Sequence, residues 1–159
     1  MTSRTTITIL GAIAAVIGAS AFIVFVGRGE GERVGATLRP DDVEVVARGR
    51  QVYIDQCGSC HGKDLEGEPN WKQRDDQGYL PAPPHDSSGH TWHHTDQHLF
   101  ELTKYGLTRL AGPDYKTRMP AYAGVLSDED IIAALSFIKS RWPANIRKRH
   151  DQLNAAGQQ

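Results

Sequence analysis

Apolar and polar positions change rhythm several times along the chain, and each change marks an element. The first is an unbroken apolar run from Ile7 to Val26, 20 positions without a charge. That length is enough to cross a bilayer as a helix. Arg4 before it and Arg28 after it give only a weak orientation signal. Ala19-Ser20-Ala21 resembles a signal-peptide cleavage site, with Ile7 to Gly18 as its apolar region. Against that reading, Phe22 to Val26 carries the run straight past the site. A retained anchor over residues 1–26 is therefore expected, with cleavage at Ala21 as the competing reading. Residues 27–40 are rich in Gly and charge, show no apolar period, and read as a flexible linker.

From residue 41 the period becomes helical. Pro40-Asp41-Asp42 opens a helix that Asp41 can cap, with Glu44 at the capping-box spacing. Val46, Gly49, Tyr53 and Cys57 fall on one face at steps of three and four. A glycine on that face weakens the helix, which predicts the close approach of another helix there. Residues 62–89 show no sustained period and read as a loop, in which Trp71 and Tyr79 are expected to pack on a cofactor. Thr95 or Asp96 caps a short helix with Leu99 and Leu102 inward, and Gly106 stops it. Tyr105 to Ala123 reads as a loop broken by Pro113 and Pro120. Ser127 caps a last helix with acids in its first turn. Its apolar stripe is Ile131, Leu135, Ile138 and Trp142, and Pro143 ends it. Residues 146–159, including the basic Arg147-Lys148-Arg149-His150, read as a polar tail. The pattern gives one small all-α domain over residues 41–145.

The chemistry sits at the end of the first of these helices, in Cys57-Gly58-Ser59-Cys60-His61. Two thiols one helical turn apart, followed at once by an imidazole, form the c-type haem attachment pattern. Each thiol adds across one vinyl group of the haem, and the imidazole binds the iron. These are the only cysteines in the chain, so the second ligand pair that a structural zinc site wants is missing. No βαβ pattern surrounds them, as a thioredoxin-like pair would require. Apart from Met1, Met119 is the only methionine, and it lies in the Pro-flanked loop rather than on an apolar stripe. A thioether is a soft neutral ligand, and His/Met ligation raises a haem potential. Met119 is thus the candidate distal ligand opposite His61. His90, His93 and His94 form a cluster of imidazoles within five residues. They read as hydrogen-bonding groups at the haem periphery, with a sixth iron ligand or a second metal as the other readings.

Composition changes this picture little. A formal net charge of −1 gives no footing for nucleic acid. With 16 Gly, 8 Pro and 8% aromatic residues, the 159-residue chain has little apolar surface to bury. A covalently held cofactor would complete such a core.

Residues 41–142 resemble the class I mono-haem c-type cytochromes, in their membrane-anchored bacterial form. Gly49 and Tyr53, Cys57-Gly58-Ser59-Cys60-His61, Met119-Pro120 and the Ser127-to-Trp142 helix carry the resemblance. It implies short helices around one covalent haem c, with the first and last helices crossing near Gly49 and Phe137. It also implies haem held by Cys57, Cys60, His61 and Met119, with His61 and Met119 as the iron ligands and no catalytic residue. The expected function is one-electron transfer between membrane complexes, respiratory or photosynthetic. A quinol-oxidising complex would be the donor, and a terminal oxidase or periplasmic reductase the acceptor. The domain would lie on the periplasmic side of the membrane, where haem c is attached. Two alternatives remain open: a haem enzyme (a peroxidase or small-molecule reductase) with an open iron site, and a haem subunit fixed in a larger oxidoreductase.

Overall fold

The computed structural model of the protein describes residues 35–157. The expected anchor and the first part of the expected linker lie outside the described residues. Among the described residues, no helix is long and apolar enough to cross a membrane. They form six helices: α1 (Val43–Gln56), α2 (Gly58–His61), α3 (Asp96–Tyr105), α4 (Leu107–Ala111), α5 (Asp128–Ser140) and α6 (Ala144–Ala156). A single 3₁₀ turn, Thr91–His93, precedes α3. Strand structure among them is limited to one isolated bridge between Ala123 and Leu126.

The pairing of α1 with α5 is the frame of the domain. A β-carbon on Gly49 would stand 1.9 Å from the carbonyl oxygen of Ala133, so only glycine lets the two backbones come this close. The partner at the crossing is thus the backbone of Ala133, and Phe137 sits one turn further on. There its ring meets Tyr53, with centroids 5.5 Å apart. The expected stripe of α5 is buried throughout: Ile131, Leu135, Ile138 and Trp142. With Tyr53, Leu65, Leu99, Tyr122, Phe137 and Leu38 these residues make the core.

Caps fall close to where the sequence puts them. Ser127 accepts from the Asp130 N–H at 3.1 Å, and Thr95 accepts from the His98 N–H at 3.2 Å. In α1 the cap is Asp42 rather than Asp41: its carboxylate accepts from the N–H groups of Glu44 and Val45. Asp41 pairs instead with Arg147 of α6.

Three segments differ from the pattern reading. Gly106, at φ 84°, ends α3 and lets the chain start the short α4 where a continuous loop was expected. The end of the linker is docked: Leu38 is buried, its N–H donates to Asp96 Oδ2 at 2.9 Å, and the Arg39 N–H donates to Ser136 Oγ at 2.9 Å. The region read as a polar tail is the helix α6, which packs beside the 3₁₀ turn. Its inward residue is His150, fully buried, donating through Nε2 to the His94 carbonyl at 2.8 Å. Asn154 completes the contact: its Oδ1 accepts from the Asp96 N–H at 2.7 Å and its amide donates to Asp96 Oδ1 at 3.0 Å.

Candidate haem site

Cys57 closes α1 and opens α2. Its carbonyl accepts from the N–H groups of Cys60 (3.1 Å) and His61 (2.9 Å), so the five-residue motif is wound into one tight turn. Both thiols are free, with Cys57 partly buried and Cys60 exposed. Burial, against a smaller opposing effect from a Tyr122 hydrogen bond, pushes the Cys57 thiol up to about 11. It is therefore a protonated thiol at neutral pH.

His61 is buried, and its Nδ1 lies 2.8 Å from the carbonyl oxygen of Pro83. A carbonyl can only accept, so Nδ1 carries the proton and Nε2 keeps its lone pair. Burial lowers the imidazole below its ordinary value, opposed by the Pro83 bond and by Glu68. The ring is thus neutral, in one tautomer, with one nitrogen ready to bind a metal. The turn beneath it is fixed as well. Tyr53 Oη donates to the Gly62 carbonyl at 2.8 Å, and the Gly67 N–H donates to the His61 carbonyl at 2.8 Å.

Met119 is half-buried and packs against the same core as Cys57. Thr117 steadies it by accepting from its N–H at 3.0 Å. Three residues on, Tyr122 donates to the Gln56 carbonyl at 2.7 Å. That bond pins the Met119 loop to the last turn before Cys57.

Trp92 carries the feature that pattern reading missed. Its indole Nε1 is buried and has no hydrogen-bond partner among the described residues. An orphan donor of this kind is uncommon, and a haem propionate is an acceptor of the right charge for it. Together with two free thiols on one turn and a neutral imidazole with an open nitrogen, the donor set fits a covalent haem. The lone aromatics of the long loop each have a partner in the chain. Trp71 stacks on His90, and the Arg118 guanidinium lies 4.1 Å over the ring of Tyr79.

The histidine run forms a row of rings, with His90 meeting His94 edge-on at 5.5 Å. His93 packs on Trp92, and His94 stacks on His98. Among the described residues, no three metal-ligating side chains converge on one point. Two further histidines matter and gave no signal in sequence: His150 in α6, and His85, whose ring lies on that of His61.

Comparison with known proteins supports a haem c domain. A family model described as "Cytochrome C oxidase, cbb3-type, subunit III" matches residues 44–138. A cbb3-type cytochrome c oxidase subunit FixPc of Rhizobium leguminosarum bv. viciae is 28% identical over 108 residues, covering 67% of this chain and 31% of its own length. A cbb3-type cytochrome c oxidase subunit FixP of Rhizobium etli is 47% identical over 34 residues, 21% of this chain and 12% of its own. The chain thus spans less than a third of the length of either curated relative. No solved structure matches.

Proposed function

Because the chain belongs to the cbb3-type cytochrome c oxidase subunit III family and binds haem c covalently, we propose that it is a one-electron carrier serving a terminal oxidase. Haem c, when attached, supplies an iron that cycles between ferrous and ferric states at little structural cost. The chain's own residues do the rest. Cys57 and Cys60 hold the group by thioether bonds. His61 binds the iron through Nε2 because Pro83 occupies Nδ1. Met119 would be the second iron ligand, and Trp92 Nε1 would donate to a propionate. With His61 and Met119 both holding the iron, no site would be left for a substrate, and the reading is of a carrier rather than an enzyme.

The curated relatives are named as oxidase subunits. That moves the reading from a free shuttle toward a haem domain held in or beside an oxidase. Its donor would be a quinol-oxidising complex and its acceptor the oxidase itself, on the periplasmic side. The apolar run Ile7 to Val26 would keep the domain at the membrane.

The His61–Pro83 bond is the observation that carries this proposal, because it leaves one nitrogen of a neutral ring free for a metal. The test is Met119→Ala in the haem-loaded protein. Loss of the thioether should abolish the weak long-wavelength thioether-to-ferric-iron band, lower the reduction potential, and let the reduced protein bind carbon monoxide that the unmodified protein resists. Ready carbon monoxide binding by the unmodified protein would turn the reading to a haem enzyme with an open site.

A further inference from the structure

His85 closes the loop that returns to the attachment turn, two residues beyond the carbonyl that holds His61. Its ring stacks on the His61 ring, with centroids 4.1 Å apart and planes 25° apart. Bonds from three parts of the fold fix it there. Its N–H donates to the Leu65 carbonyl at 2.8 Å, and its carbonyl accepts from Trp142 Nε1 at 2.8 Å. Its Nδ1 shares a 2.8 Å hydrogen bond with the hydroxyl of the buried Thr91. Tyr53 meets the ring edge-on at 6.3 Å.

The stack presents the flat face of the His85 ring to His61. The first two bonds belong to the backbone; the Thr91 bond is the ring's own, and a hydrophobic filler could not make it. The Pro83 bond fixes the tautomer of His61 and the direction of Nδ1, yet one hydrogen bond leaves the ring free to rock about that axis. A flat ring at stacking distance removes this freedom.

We propose that His85 is a positioning residue: its stacked and anchored ring sets the plane of the His61 imidazole, and through that plane tunes the redox centre that His61 serves. Partners of this kind orient metal-binding imidazoles and adjust the metal's properties. The inference rests on His61 being the proximal ligand, as proposed above.

The test uses the haem-loaded protein and two readouts: the paramagnetically shifted haem-methyl resonances of the ferric form, which report the ring plane, and the midpoint potential. His85→Leu should redistribute the methyl pattern and shift the potential. His85→Phe, which keeps a flat ring, should return both toward the unmodified values. Thr91→Val, which keeps the imidazole and removes its anchor, should move both by less and in the same direction, and it decides the matter if His85→Leu does not fold. An unmoved pattern and potential in His85→Leu, or in Thr91→Val where that variant must decide, overturns the proposal. So does a His85→Phe protein displaced as far as His85→Leu. His61→Ala is the separate control: if it leaves the imidazole signature of the iron intact, the proximal assignment fails first, and that result is distinct from either of the others.

Discussion

His61 becomes a ligand through what its other nitrogen does, and Trp92 shows the same principle from the donor side. A buried indole N–H without an acceptor costs about 1–3 kcal/mol, so its burial in this fold implies an acceptor supplied by the bound group. Trp92→Phe should therefore lower the stability of the haem-loaded protein by about 1–2 kcal/mol, read as a lower denaturant midpoint. An unchanged midpoint would mean that the indole has no acceptor. At this scale the sequence is legible where chemistry demands a fixed spacing. Cys57, Cys60 and His61 announce themselves because one turn of chain must meet one edge of a ring. His85 and Trp92 do not, because the first depends on where the fold brings His61 and the second on the bound group, and a lone imidazole or indole in a loop has no spacing to be recognised by.

Elements are legible in proportion to how apolar their buried faces are. α5 shows its stripe openly, and Gly49 predicts a close helix crossing that the structure places against Ala133. Gly49→Ala should cost about 3 kcal/mol or more, because the clash is with backbone that cannot move aside. Guanidinium unfolding of the haem-loaded protein measures it, and a loss below about 1 kcal/mol would mean that the helices separate easily. α6 is the opposite case. What it buries is His150, satisfied by the His94 carbonyl and beside Asp96. Asn154 and Lys139 surround the same carboxylate. A search for apolar periodicity passes over such a helix, since a polar network and a solvated tail look alike until the partners are known.

For the molecule as a whole, three imidazoles set an acid limit. His90, His94 and His150 are all held below their ordinary value, chiefly by burial. For His150 the Lys139 ammonium adds to this, while Asp96, the His94 carbonyl and Asp151 oppose it. A base with a depressed native pKa binds fewer protons folded than unfolded. Stability is then complete above the unfolded value, about 6.5, and is lost as pH falls from there toward the native value. The melting temperature should thus be level above about pH 7 and decline below about pH 6.5. His150→Gln should flatten part of that decline. Asp75 and Asp130 are also lowered, the first mainly by the Tyr79 N–H and the second mainly by Arg48. Both pair with arginines that are themselves exposed, so they add little at lower pH. A melting temperature that holds to about pH 4.5 would remove the histidines from this account.

The docked segment ahead of α1 has a mechanical meaning. Any tension arriving along the chain from before residue 35 meets Ala36, Leu38 and Arg39, and their bonds pass it to Gln97 and Asp96 on α3 and to Ser136 on α5. The load path enters the domain there, ahead of α1, and the turn that carries Cys57 and His61 is spared. Leu38 acts as the strain relief on a tethered cable: the cord can be tugged while the terminals stay still.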